Sequence, residues 1–142
     1  MISIVKLARS KENVLCQRLR NKFVVHEHHA LRAGLHYDLR IEHDCVLKSW
    51  ASRKMPELVD GNLRKISLFQ TPDHSLDWFD FHGEITDVYG KGKVNIWDTG
   101  DVDIIKWDKN IIVEFEGNKL VGKYAIVPMI KQGQFLMLRS KK

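Results

Sequence analysis

The chain has 142 residues, which predicts a single domain over 1–142 with one sizeable core and little room for a second. With 44% hydrophobic and 29% charged residues it has the make-up of a soluble globular protein, not a disordered tail, and no apolar run is long enough to cross a bilayer. Lysine and arginine number 23 against 18 acids, a net charge of +5 that suits a phosphate-rich partner without requiring one.

The opening stretch, MISIVKLARSKENV, has an apolar patch too short and too interrupted for a signal peptide, so an intracellular, cytoplasmic protein is expected. Residues 5–20 allow a helix with Val14, Leu15 and Leu19 on one side. Cys16 and Cys45 have no metal-type spacing and read as ordinary thiols of a reducing interior, with one disulfide as the alternative.

From Phe23 onward the signals are those of strands: 23–26, 35–43, 46–52, 65–70, 79–85, 93–98, 111–117, 119–127 and 134–140. Short punctuators separate them, among them His43-Asp44, Asp60-Gly61, Tyr89-Gly90, Thr99-Gly100 and Gly117-Asn118. The last pair is expected to supply positive-φ positions for a hairpin over 111–127. Many short strands joined by tight turns predict a mainly β protein, a compact antiparallel β-barrel with little helix. Its interior face is a place where a polar cluster can be held away from water.

The stretch 35-LHYDLRIE-42 alternates strictly, with His36, Asp38, Arg40 and Glu42 on one face and Leu35, Tyr37, Leu39 and Ile41 on the other. Such a polar face is commonly just solvated, with cross-strand ion pairs. In an extended strand, however, His36 and Asp38 have Cα atoms about 6.6 Å apart on one side and can converge on one ion. Arg40 lies a further step of about 6.6 Å along. Its planar fork suits an anion held beside that ion. The order His, Asp, Arg therefore reads as metal, metal, phosphate. Just upstream stands 26-HEHHA-30. If the strand at 23–26 continues, His26 and His28 share a face, His28 offers a third ligand and His29 points away.

In 72-PDHSLDWFDFHGE-84, His74 follows a Pro-Asp turn in a loop, where it can contact a phosphoryl group or protonate a leaving oxygen; a backbone-bonded loop histidine is the plainer alternative. His82 reads as structural. Trp50, Trp78, Trp97 and Trp107 read as core and barrel-rim residues in preference to base-stacking platforms. The turn 89-YGKGK-93 is given no catalytic role.

Taken in order, 23-FVVHEHHALRAGLHYDLRIE-42, 46-VLKSWASRK-54, 73-DHSLDWFDFHGEI-85 and 88-VYGKGKVNIWDTG-100, with the tail 119-KLVGKYAIV-127 and 135-FLMLRSK-141, resemble the 3′-phosphoesterase domain of DNA ligase D. The chain looks like a free-standing member of that family. The resemblance implies a β-barrel enzyme of DNA repair that heals 3′ ends of DNA or DNA/RNA. Such an enzyme removes a 3′-terminal ribonucleoside and then the 3′-phosphate, with manganese favoured among divalent metals. It implies His28, His36 and Asp38 as metal ligands and Arg40 and His74 as phosphate-binding residues, all five forming the catalytic set. A DNA ligase or end-joining factors are the implied partners, with no membrane association and a monomeric state. Three departures from the family stand out. Trp78 replaces the usual tyrosine, the loop between His28 and His36 is longer, and His26 replaces the usual glutamine. His26 and Trp78 thus become further candidates for the site. Relatives also contribute N-terminal charged side chains, for which Glu12 is the candidate here.

Two rivals follow from the same residues. A non-catalytic nucleic-acid-binding β-barrel would bind DNA insensitively to chelator. A non-haem iron oxygenase would use His36, Asp38 and a distant His74 as a two-histidine, one-carboxylate triad.

Overall fold

The computed structural model describes residues 20–86 and 91–140. The helix expected over 5–20, with Glu12 and Cys16, lies outside these residues, as do Tyr89 and Gly90 of the expected turn. Nine strands follow in the order β1 (Asn21–Ala30), β2 (Gly34–His43), β3 (Val46–Ser52), β4 (Lys65–His74), β5 (Gly83–Ile85), β6 (Gly92–Trp107), β7 (Ile111–Glu116), β8 (Val121–Pro128) and β9 (Gln134–Arg139). A short helix, α1 (Met55–Val59), links β3 to β4, and a single 3₁₀ turn covers Leu76–Trp78. No helix among the described residues is long and apolar enough to cross a membrane.

All strand pairs are antiparallel, and the sheet order β1-β2-β3-β4-β9-β8-β7-β6 closes on itself through β1–β6 pairing. The result is an eight-stranded barrel with β5 attached to the first residues of β6. Closure removes the open edges that would otherwise invite association. Apolar residues at every second position of each strand fill the interior: Phe23 and Val25 of β1, Tyr37, Leu39 and Ile41 of β2, Trp50 of β3, Ile66 and Leu68 of β4, and Val113 and Phe115 of β7. Phe23 and Phe115 meet edge to face at 4.8 Å. Tyr37, Leu39 and Ile41 belong to that core, so the alternate, polar face of β2 points the other way. It lies on the outer wall, contrary to the expectation that the barrel interior would house it.

The segment over 79–85 forms a strand only at Gly83–Ile85, since it pairs only with residues 92–94 of β6. The expected turn at Thr99-Gly100 is instead the middle of the 16-residue strand β6. Gly100 serves close packing there: a Cβ would stand 2.3 Å from the Glu116 carbonyl oxygen. The hairpin over 111–127 forms, but neither Gly117 nor Asn118 has positive φ. That turn is organised from outside by the buried carboxylate of Asp98, which accepts from the backbone N–H groups of Asn118, Lys119 and Leu120 at 2.9, 3.0 and 2.7 Å. Gly117 leaves room for it, because a Cβ would lie 2.3 Å from Asp98 Oδ2. Asp44 and Cys45 do take left-handed conformations, with φ of 53° and 66°, in the two-residue β2–β3 turn. Cys45 is disulfide-bonded, which corrects its reading as a free thiol.

Candidate metal centre

On the outer wall the pairing of β1 with β2 sets His28 opposite His36 and His26 opposite Asp38. Both strands alternate, so all four side chains and Arg40 share one face while Val25, Tyr37 and Leu39 enter the core. His29 points away and is exposed. The rings of His28 and His36 lie 4.6 Å apart. Asp38 Oδ2 stands 3.5 Å from His28 Nδ1 and 3.4 Å from His36 Nε2. One donor atom from each of His28, His36 and Asp38 falls within 4.8 Å of the others.

The donor set suits a divalent ion. Bonds of about 2.1 Å to one ion imply donor separations of about 3.0–3.5 Å, which both Asp38 contacts meet. His36 Nδ1 donates to the Gly34 carbonyl at 3.3 Å, which leaves the Nε2 lone pair facing the cluster, the arrangement usual for a ligating histidine. Burial alone would raise the Asp38 pKa. His28, His36 and Arg40 outweigh burial and hold the carboxyl well below the usual carboxylate range, so it is an anion ready to ligate.

Arg40 is buried and held on several sides. Its Nε donates to His26 Nδ1 at 3.0 Å, one terminal nitrogen donates to Ser49 Oγ, and the other lies 3.5 Å from Asp38 Oδ2. His26 is fully buried and uses both ring nitrogens, since Nε2 donates to the Phe81 carbonyl at 3.0 Å. Desolvation and the neighbouring Arg40 push its pKa down to about 4, which keeps the ring neutral and Nδ1 an acceptor. His26 is thus occupied in holding Arg40 and stands outside the three-donor group.

His74 is the last residue of β4, not a loop residue as its Pro-Asp neighbours suggested. Between Ser49↔Thr71 and Leu47↔His74 the β3–β4 register slips by one residue. Without that bulge, alternation would send His74 toward the interior; with it, the ring emerges on the outer face beside Arg40. His74 Nδ1 stands 2.9 Å from the Pro72 carbonyl oxygen and 3.1 Å from Arg40 Nη1, and Nε2 lies 3.5 Å from the same Arg40 nitrogen. Burial, then Arg40, lower its pKa. His74 stands against the guanidinium and is not part of the three-donor group, so the triad drawn with His74 for an oxygenase is not assembled.

The 3₁₀ turn roofs this face. Trp78 is half-buried and outside the core, unlike its expected place; its ring lies 5.9 Å from the Arg40 guanidinium carbon and meets His74 edge-on at 5.3 Å. Trp50 is a core residue, and Trp97 and Trp107 pack against the core. His82 is exposed and outside any strand, so it has no structural role of the kind expected. Ser49 and the carbonyls of Gly34 and Phe81 are contributors that sequence reading missed. Only Ser49 left a trace, through alternation in 46-VLKSWAS-52, and its place opposite Arg40 depends on register.

A family model described as "DNA Ligase D 3'-phosphoesterase domain" matches residues 26–128. The multifunctional non-homologous end joining protein LigD of Mycobacterium bovis is 41% identical over 113 residues, covering 75% of this chain and 14% of the relative. The corresponding proteins of Mycolicibacterium smegmatis and Pseudomonas aeruginosa are 39% identical over 121 residues and 34% identical over 130 residues. These cover 75% and 84% of this chain, and 15% of each relative. The chain thus spans about one seventh of the length of these relatives.

Proposed function

The chain belongs to the DNA ligase D 3′-phosphoesterase domain family, and from that membership and the geometry of the outer wall we propose that it is a metal-dependent phosphoesterase acting on nucleic-acid 3′ ends. The substrates would be DNA or DNA/RNA primer–template ends carrying a 3′-phosphate or a 3′-terminal ribonucleoside. The setting would be end-joining repair beside a DNA ligase, with the domain a monomer over 1–142. The observation that carries the reading is the junction of His28, His36 and Asp38 with the Arg40 guanidinium, 3.5 Å from Asp38, on one sheltered face.

His28, His36 and Asp38 would hold the ion, for which manganese is our choice. Bound there, it supplies Lewis-acid polarisation of a phosphoryl oxygen. The protein's own groups do the rest. Arg40 offers its terminal N–H donors to the remaining phosphoryl oxygens and stabilises the charge that grows there as water adds to phosphorus and the bond to the leaving oxygen breaks. The leaving oxygen is the 3′ oxygen of the primer when phosphate is released and the 5′ oxygen of the departing nucleoside when a ribonucleoside is released. His26 and Ser49 fix the guanidinium before substrate arrives, so little reorganisation is left for the reaction. His74 completes the phosphate pocket: an incoming oxygen competes for the donor that now faces its ring. With its pKa lowered, His74 is neutral near pH 7, which favours binding and orientation over delivery of a proton to the leaving group. Trp78 shields Arg40 from water where a tyrosine would have placed a hydroxyl.

The test is a 5′-labelled primer annealed to a longer template, ending in a 3′-phosphate or a single 3′-ribonucleotide, incubated with manganese with and without chelator. Conversion to a 3′-hydroxyl end that chelator blocks is the expected result. A primer that is bound but unchanged, equally with and without chelator, is the behaviour of a non-catalytic binding module and contradicts the proposal.

A further inference from the structure

A groove of about 710 Å³ opens beside the metal centre, and His36 belongs to the walls of both. Its floor follows from register. Asp38 pairs with Ala51 across β2–β3, and Ala51 pairs with Phe69 across β3–β4, so the three lie in one row on the outer face. Directly paired residues of antiparallel strands point to the same side, and neighbouring strands are about 4.8 Å apart. Phe69 therefore stands about 10 Å from Asp38 on the same face. Only the small side chain of Ala51 lies between them.

Phe69 is half exposed, although its neighbours Ile66 and Leu68 are buried in the core. An aromatic ring left open to solvent beside a catalytic face calls for an occupant. Lys54 and Lys65, both exposed, flank it, with Leu63 at the rim. Arg53 also borders the groove and is engaged in bracing the β1–β2 loop, donating to the carbonyls of Leu35 and Ala33 at 3.0 and 2.7 Å. An apolar ring edged by two lysines matches a nucleotide, whose base has an apolar face and whose backbone is anionic. An uncharged peptide or a lipid tail would leave the two ammonium groups unanswered. The row from Asp38 to Phe69 is also comparable in length with the span of one nucleotide from its 3′ phosphorus to its base.

We infer that this groove seats the nucleotide whose 3′ oxygen carries the scissile phosphorus, with its base stacked on Phe69 and its 5′-ward backbone passing Lys54 and Lys65. The inference rests on the phosphoesterase reading and adds a base-contacting subsite to it. Because every base has a π face, the subsite tolerates any sequence but requires that a base be present. That requirement separates it from a groove that only tracks the backbone.

The experiment measures binding, so it does not depend on turnover. A 5′-fluorescein primer–template with a 3′-phosphate is compared, by anisotropy in chelator, with the same duplex whose terminal primer nucleotide is an abasic analogue. The wild-type protein should bind the abasic end about 10-fold more weakly. Phe69→Ala should bind both ends alike, at the level of the abasic complex, and Phe69→Trp should restore the preference. Phe69 is half exposed and outside the core, so its replacement is compatible with folding, and an unchanged thermal midpoint checks this. Equal binding of the two ends by wild type, no binding of either, or a preference that survives in Phe69→Ala overturns the subsite. Parallel incubation with manganese separates the two claims. A base preference lost in Phe69→Ala without any hydrolysis upholds the subsite and refutes the enzyme. Hydrolysis with no base preference does the reverse.

Discussion

Replacing His26 tests how the guanidinium is held. Arg40 Nε donates to His26 Nδ1 at 3.0 Å, and the opposite ring nitrogen donates to the Phe81 carbonyl at 3.0 Å, so the imidazole ties β2 to the segment that roofs the site. His26→Ala removes both bonds in a buried place. A hydrogen bond to a charged group contributes about 1.5–3 kcal/mol. If that energy goes into placing Arg40 against the transition state, kcat/KM should fall by about 10- to 100-fold, since 1.4 kcal/mol is a factor of ten. His26→Gln offers the same two functions, with Oε1 as acceptor for Arg40 and the amide N–H as donor to Phe81, and should recover activity to within about threefold of wild type. The assay is steady-state phosphate release from a 3′-phosphate primer–template in manganese, with melting curves for each variant. Full turnover in His26→Ala would refute the reasoning. So would a folded His26→Gln as impaired as the alanine variant, which would show that imidazole acts by something other than its two hydrogen bonds.

Asp98→Ala leaves three backbone N–H groups of the β7–β8 turn without their acceptor and should destabilise the barrel by about 3 kcal/mol, read from urea unfolding; a change below about 0.5 kcal/mol would contradict the capping role. Gly117→Ala puts a Cβ 2.3 Å from Asp98 Oδ2 and 2.6 Å from Phe23 Cζ, so a loss of about 1–3 kcal/mol is expected, and a variant as stable as wild type would show that the turn yields freely. His43 stacks on Trp107 at 3.9 Å, and burial lowers its pKa. A lowered histidine pKa means the unfolded chain takes up the proton first, so this group's contribution is complete above the unfolded value of about 6.5 and is lost as pH falls below it. Its imidazole resonances should titrate below that value in an NMR series, and a midpoint above it would be contrary.

Much of the wall was legible because period-2 alternation survives in the residues that form it. In 35-LHYDLRIE-42 and 23-FVVHEHH-29 the polar and apolar positions separate cleanly, and β1 and β2 carry His28, His36, Asp38 and Arg40 to one face. Alternation cannot tell which face lies inside a closed barrel, and the core composition had to settle that. Other features are set by contacts distant in sequence. His74 reaches Arg40 only because a bulge shifts its parity, and Pro72, an unfavourable residue inside a strand, was the available sign of it. Gly100 looked like a turn residue but lies within β6, and Gly117 does sit in its turn; both meet close packing, against Glu116 and Asp98, in place of a positive φ. The role of Asp98 itself depends on a turn 20–22 residues away. The disulfide at Cys45 has no signature in spacing at all.

Everything proposed for this face depends on His28, His36 and Asp38 making one metal centre that the chemistry needs. Manganese bound per chain, measured by equilibrium dialysis alongside phosphate release from a 3′-phosphate primer–template, compares wild type with Asp38→Ala. One ion per wild-type chain, with both the ion and phosphate release lost in a folded Asp38→Ala, is the predicted result. An Asp38→Ala protein that still binds manganese and still releases phosphate would contradict it.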